Sequence, residues 1–112
     1  FIGYHLHKSI LLNPIKKNQK IVGLDNYNNY YDVKLKKKRT YSLKKEFKNN
    51  FIFYKEDFCN FKKLQNIFKK HKFSHVIHLG AAAGVRNSIL NPRDYLKNNV
   101  DGFQKVSFSL VI

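Results

Sequence analysis

The chain has 112 residues, with 22 Lys and Arg against 7 Asp and Glu, and a formal net charge of +15 at pH 7. This length fits one small domain rather than two. The sequence contains no run of about 18 apolar residues, as a spanning helix requires, and its first residues lack the pattern of a leader peptide, so we expect neither feature. We therefore expect a cytoplasmic protein with no membrane partner. The single cysteine, Cys59, excludes an internal disulfide and is consistent with a reducing compartment.

The first predicted elements are a helix and a strand. The helix runs from Gly3 to about Asn13, because apolar residues recur there at helical spacing and Pro14 disfavours helix in its predecessor. Residues 20–24 form a short apolar segment, which predicts a buried strand that ends at Asp25.

The same patterns continue along the chain. After a polar and aromatic loop, we predict a lysine-rich helix, a second strand, a third helix with one apolar face, a third strand and a last helix that opens at Asn91-Pro92. These elements cover residues 33–47, 51–54, 61–68, 74–79 and about 93 to the end of the chain.

Alternation of strands with helices indicates an α/β protein. The predicted fold is a partial Rossmann-like, doubly wound parallel sheet with helices on both faces, in a single domain over residues 1–112. A strand is expected before the first helix of such a fold, and we expect that strand to be missing here.

Two residues fit a dinucleotide-binding pattern. Gly3 would be the third glycine of the fingerprint, the one that allows close packing of helix and strand. Asp25 lies about twenty residues later, where an acidic side chain accepts hydrogen bonds from the adenosine ribose and favours NAD over NADP. The alternatives are an incidental glycine and a turn aspartate. Asp57 ends the next strand, where it could approach the adenine edge or cap the helix that begins near Asn60.

Four segments carry a family resemblance: GLDNYNNYYDVKLKKKR, FIFYKEDF, FSHVIHLGAAAGVRNSILNP and DYLKNNVDGF. In this order and spacing they resemble the extended branch of the short-chain dehydrogenase/reductase superfamily, and within it the UDP-glucuronate 4-epimerases. The resemblance covers residues 1–103. It implies an incomplete NAD-binding domain without its substrate domain, from an enzyme that removes and returns hydride at C4 of a UDP-sugar in polysaccharide biosynthesis and works as a homodimer.

The resemblance also implies roles for individual residues. The residues expected to contact NAD are Gly3, Asp25, Asn26, Asp57, Phe58, Leu79, Gly80, Ala81 and Asn99. Those expected to contact the substrate, through its carboxylate or phosphates, are Arg86 and Ser88. The chain departs from the family at Gly80, Ala82 and Asn87, where alanine, glutamine and tyrosine are usual. The alternative within the superfamily is another nucleotide-sugar 4-epimerase or a 4,6-dehydratase.

No catalytic residue is predicted within the chain. The family's Tyr-x-x-x-Lys pair is matched at Tyr4/Lys8, Tyr30/Lys34 and Tyr41/Lys45, but the true pair should stand on a helix after a further strand. We therefore expect this chain alone to lack epimerase activity. No metal site is expected either, because His71, His75 and His78 have no carboxylate or cysteine at ligand spacing.

The high positive charge leaves one alternative of another class, a basic nucleic-acid-binding module. However, the basic residues are almost all lysine, and Arg39, Arg86 and Arg93 are the only arginines. Arginine is the residue that a phosphate- or base-reading surface favours. Because Lys, Asn, Ile, Phe and Tyr all have AT-rich codons, coding bias explains much of the charge, and we expect no nucleic-acid partner.

Overall fold

The computed structural model describes residues 1–110, which form six α-helices, one π-helical segment and two β-strands. In chain order these are α1 (Ile2–Leu12), β1 (Ile21–Leu24), α2 (Val33–Glu46), β2 (Phe51–Tyr54), α3 (Phe61–His71), α4 (Val85–Leu90), α5 (Pro92–Leu96), the π-helical segment (Lys97–Gly102) and α6 (Phe103–Ser109). The elements form two compact units, unit 1 from Phe1 to Lys55 and unit 2 from Glu56 onwards.

Unit 1 contains a two-stranded parallel sheet. β1 and β2 pair in register from Ile21 opposite Phe51 to Leu24 opposite Tyr54, and α2 makes the crossover that neighbouring parallel strands require. The pairing extends one residue further, because the Asp25 amide donates to the Tyr54 carbonyl oxygen at 3.2 Å. The sheet therefore carries Asp25 at its carboxyl-terminal edge.

Helix α1 runs antiparallel to β1. Near the end of the helix, Ile10 lines a small cavity together with Ile21, the first residue of the strand. Half-way along it, the ring of His7 lies so close to Gly23 that a Cβ there would be 3.1 Å from Nε2. The start of α1, which carries Gly3, consequently lies at the same edge as the end of β1.

Helix α2 buries little apolar surface among its many lysines. Leu43 is its one buried residue, and Asp32 caps its first turn by accepting from the Lys34 amide at 2.7 Å. An ion pair between Lys8 and Glu46 at 3.3 Å joins α2 to α1. The predicted helix is confirmed to within a residue at its end, and its lysines are exposed or half-buried.

Unit 2 is built on α3 and α6. Leu64 and Ile67, on the apolar face that the sequence predicts, are buried, as is Val106 on α6. The Asn60 side chain caps α3 by accepting from the Lys63 amide at 3.4 Å.

The last predicted helix is confirmed as a helical run from Pro92 to Ser109, although its middle is π-helical. The last helix is also predicted to include residues 111–112, which lie outside the described residues. Helix α4 is an addition that the sequence did not predict. Among residues 1–110, no helix combines the length and apolar character needed to cross a membrane.

The predicted third strand is wrong. Residues 74–79 contain no β-strand, and Ile77 and Leu79 are 59% and 51% exposed rather than buried. In a doubly wound sheet this segment pairs with the strand that precedes the first helix. The described residues contain no such strand, so the segment has no neighbour with which to form a hydrogen-bonded ladder.

Candidate functional site

Asp25 presents its carboxylate at the end of β1. The residue is exposed, and Oδ1 accepts from the Tyr27 amide at 2.7 Å, closing a short turn. This bond holds the side chain in place and uses one of the two carboxylate oxygens. The carboxylate is therefore placed to accept hydrogen bonds from a diol.

The loop after β1 is held by its own side chains. Tyr27 adopts a left-handed backbone conformation (φ 55°), and its ring stacks on Phe53 with centroids 5.3 Å apart. Asn26 Oδ1 accepts from the Asn28 amide at 3.0 Å, and Lys36 Nζ donates to Asn28 Oδ1 at 2.7 Å. Because these contacts fix the loop, Asp25 and Asn26 have defined positions.

Gly3 lies in the first turn of α1 and is half-buried. Its carbonyl oxygen accepts from Nδ1 of His7, the same ring that covers Gly23. The antiparallel course of α1 brings Gly3 to the edge that carries Asp25 and Asn26. The three predicted cofactor residues of unit 1 therefore share one edge of the sheet.

In unit 2, Asp57 closes the turn that leads into α3. Its Oδ1 accepts from the Cys59 amide at 2.8 Å, whereas the helix cap itself is Asn60. Burial, with the nearby Asp57 carboxylate as the second cause, raises the pKa of the Cys59 thiol to about 11. The thiol is consequently protonated at neutral pH, and its Sγ lies 3.5 Å from the Lys97 carbonyl oxygen.

The Phe58 ring lies against two glycines. A Cβ on Gly80 would be 2.7 Å from Cε1 of Phe58, and a Cβ on Gly102 would overlap Cε2 on the other edge of the ring. The ring of His78 meets Phe58 edge-on, with centroids 5.1 Å apart. Burial there lowers the pKa of His78 below its ordinary value. Two predicted cofactor residues, Phe58 and Gly80, are thus in direct contact.

Asn99 binds the chain segment that follows Gly80. Its Oδ1 accepts from the Ala82 amide at 2.7 Å, and its Nδ2 donates to the Ala82 carbonyl oxygen at 2.9 Å. The Tyr95 hydroxyl adds a second anchor, 2.6 Å from the Ala83 carbonyl oxygen and 2.9 Å from that of Gly84. These bonds fix the backbone that follows Ala81, another residue predicted to contact the cofactor.

The predicted substrate residues lie on α4. The Ser88 hydroxyl donates to the Val85 carbonyl oxygen at 2.7 Å, inside its own helix. Arg86 is exposed, and within residues 1–110 its guanidinium has no hydrogen-bond or ion-pair partner. No hydrogen bond joins either side chain to the predicted cofactor residues of unit 2.

The sequence missed three residues that shape this part of the chain. They are Tyr95, Gly102 and, as a packing residue, His78. The run of small residues at 80–84 indicates that a large side chain packs against it. Nothing in the sequence identifies that side chain as Phe58. In the described part of the chain, no group of three or more His, Cys, Asp or Glu side chains could hold a metal ion.

Parallel strands, a crossover helix and an acidic side chain at the strand end define an α/β protein with a Rossmann-like fold. Solved structures confirm this fold class. The UDP-Glc/GlcNAc 4-epimerase of Campylobacter jejuni matches 99% of this chain and 30% of its own, with a TM-score of 0.83 and 23% identity. The UDP-glucose-4-epimerase of Stenotrophomonas maltophila, solved with NAD and formylated UDP-arabinopyranose, matches 99% and 30%, with a TM-score of 0.79 and 16% identity.

Sequence comparison identifies the family. The chain belongs to the GDP-mannose 4,6 dehydratase family, whose model matches residues 1–106, and the predicted kinship with NAD-dependent epimerases and dehydratases is confirmed. The UDP-glucuronate 4-epimerase of Thermodesulfobacterium geofontis (strain OPF15) is 43% identical over 102 residues, which are 91% of this chain. The chain spans about 30% of the length of that relative.

Proposed function

We propose that this chain is the nucleotide-binding segment of an NAD-dependent nucleotide-sugar 4-epimerase that acts on UDP-glucuronate. The observation that carries the proposal is Asp25, an exposed carboxylate fixed at the carboxyl end of a parallel strand, on the edge where helix α1 begins. The similarity to UDP-glucuronate 4-epimerase supports the substrate.

The residues of unit 1 fit the adenosine half of NAD. The Tyr27 amide occupies one oxygen of Asp25, and the remaining acceptor capacity suits the two ribose hydroxyls. A 2'-phosphate would meet the negative charge of Asp25, which favours NAD over NADP. Asn26 stands beside Asp25, and Gly3 would end the pyrophosphate loop at the start of α1, where it allows close packing of helix and strand.

The predicted cofactor residues of unit 2 fit the adenine and the nicotinamide half of NAD. Asp57 and Phe58 would lie by the adenine, and Leu79, Gly80 and Ala81 would pass along the nicotinamide half. Asn99 would act on the cofactor by fixing the backbone at Ala82. When bound, NAD supplies the acceptor for the C4 hydride of the sugar.

Arg86 and Ser88 are the proposed substrate residues. The exposed guanidinium of Arg86 suits a carboxylate or phosphate oxygen pair. The proton-transfer residues of the reaction are proposed to lie outside these 112 residues, in a cytoplasmic homodimeric enzyme that makes precursors for surface polysaccharides. The second candidate is a nucleotide-sugar 4,6-dehydratase, which the name of the matching family favours.

A chimera tests the proposal. The chain replaces the matched 102 residues of the Thermodesulfobacterium geofontis relative, and the product is offered UDP-glucuronate, UDP-glucose and GDP-mannose in turn. We expect the chimera to convert UDP-glucuronate to UDP-galacturonate, and proton NMR of the sugar measures this conversion. A folded chimera that binds no NAD contradicts the proposal, and formation of a 4-keto-6-deoxy sugar from GDP-mannose favours the dehydratase.

A binding measurement separates the proposal from the nucleic-acid alternative. We expect the 112-residue chain to show no binding to duplex DNA or RNA that weakens steeply with salt. Tight binding that weakens by orders of magnitude between about 50 and 200 mM salt would favour the basic module instead.

A further inference from the structure

We infer that Phe58 is a positioning residue whose ring sets the separation between residues 80–82 and the π-helical segment. The inference rests on the proposed function, because residues 80–82 follow the nicotinamide half of NAD only under that proposal. It assigns the Phe58 side chain a role different from adenine contact, which its backbone could still make.

The Phe58 ring is in tight steric contact with two glycines. Gly80 and Gly102 lie against opposite sides of the Phe58 ring, and neither has room for a Cβ, which at Gly80 would lie 2.7 Å from Cε1. Real Cβ atoms do not approach a ring carbon so closely, so an alanine at Gly80 would force the ring or the loop to move. The ring therefore fills the space between the two backbones.

Hydrogen bonds from Asn99 join the π-helical segment to residues 80–82. Asn99 belongs to the same π-helical segment as Gly102, and it binds Ala82, two residues after Gly80, through both polar atoms of its side chain. Phe58 thus keeps the two segments apart while Asn99 holds them together. Widening or narrowing the gap at Gly80 should strain the bonds at Ala82.

The Phe58 ring leaves room for a glycine at position 80 but not for a larger residue. Gly80 stands where the resemblance leads us to expect alanine. With phenylalanine at position 58, an alanine there would clash, whereas a smaller, more flexible residue at 58 would leave room for it. The sizes of residues 58 and 80 are therefore coupled by contact, and this coupling can be tested by changing both residues.

The test follows the Ala82 amide in the 112-residue chain by NMR hydrogen exchange, in the wild type, Gly80→Ala, and Gly80→Ala combined with Phe58→Leu. We expect Gly80→Ala to speed exchange at the Ala82 amide roughly tenfold to a hundredfold, because overpacking at residue 80 weakens the hydrogen bonds at Ala82. The double variant should recover most of the protection. Ala83→Ser, which enlarges an exposed residue of the same loop, is the matched control and should leave exchange unchanged.

Each outcome bears on one hypothesis. Unchanged exchange in Gly80→Ala, or no recovery in a double variant with wild-type circular dichroism, would overturn the inference. NAD is then titrated into the same samples, and we expect its Kd to rise in Gly80→Ala and to return in the double variant. If exchange follows the expected order but NAD changes no amide in any sample, the positioning role stands and the proposed function fails.

Discussion

Asn99 pairs with the backbone of Ala82 through two hydrogen bonds, at 2.7 and 2.9 Å, one accepted by its side-chain oxygen and one donated by its nitrogen. A neighbouring β-strand offers a donor and an acceptor to the chain beside it in the same manner. A single amide side chain thus fixes the backbone just after residues 74–79, the predicted strand that has no neighbour among the described residues.

Replacing Asn99 by Asp should destabilise unit 2. The change keeps the bond to the Ala82 amide but removes the donor, and it places a carboxylate against the Ala82 carbonyl oxygen. Because the site is exposed, we expect a loss of about 1 kcal/mol in the free energy of unfolding, measured by urea titration. Gln104→Glu makes the same chemical change on the exposed surface of α6 and should cost less than about 0.5 kcal/mol. Equal free energies of unfolding in the two variants would show that the Asn99–Ala82 hydrogen bonds do not contribute to stability.

Replacing Asp25 by Asn should weaken NAD binding without unfolding the chain. Asparagine can still accept from the Tyr27 amide, so the turn survives, but the charge that receives the ribose hydroxyls is gone. Hydrogen bonds to charged groups contribute about 1.5–3 kcal/mol, which predicts a Kd for NAD that is roughly tenfold to a hundredfold higher.

The same variant should lose its discrimination against NADP, which calorimetric titration of both nucleotides would measure. Asp32→Asn is the matched control, because it neutralises a carboxylate that only caps α2. A Kd for NAD that rises equally in both variants would mean that net charge, rather than the position of Asp25, governs binding.

Much of unit 1 and of α3 could be predicted from the sequence, because the signals there are local. The cap at Asp32, the apolar run of Phe51–Tyr54 and the spacing of Leu64 and Ile67 each act within a few residues. Asp25 was placed correctly at the end of β1 for the same reason, since a short apolar run fixes where the strand ends.

Features that depend on distant residues could not be predicted. An apolar run at residues 74–79 has the composition of a strand, but strand formation also needs a neighbour, which the described residues do not provide. The contact of Phe58 with Gly102 joins residues 44 positions apart, so no periodicity reports it. Likewise, the sequence suggested a cofactor contact for Asn99 but not its bonds to Ala82.

Cys59 should react slowly with alkylating reagents in the folded chain. Burial, followed by the Asp57 carboxylate, raises the pKa of this thiol from 9.0 to about 11, which lowers the thiolate fraction at pH 8. Allowing for the greater nucleophilicity of a more basic thiolate, we expect iodoacetamide to react about tenfold more slowly than with the urea-unfolded chain, by mass spectrometry. Stability should also fall as pH rises from 9 towards 11, because the unfolded thiol releases its proton first. Equal rates in folded and unfolded chain would contradict the raised pKa.

Acid should destabilise the chain through His78. Burial lowers the pKa of this imidazole below its ordinary value of 6.5, so the unfolded chain binds a proton before the folded one does. The stabilising contribution is therefore complete above pH 6.5 and is lost as the pH falls through the folded-state pKa. His78→Leu removes the titrating group from its place between Phe58 and Phe103, and its free energy of unfolding should fall less steeply than that of the wild type between pH 7 and pH 5. Urea titrations of the wild type and the variant, at several pH values from 5 to above 7, measure how each free energy of unfolding depends on pH. Above pH 7 the two curves should be parallel. Parallel curves at all pH values would mean that His78 is protonated equally in the folded and unfolded states.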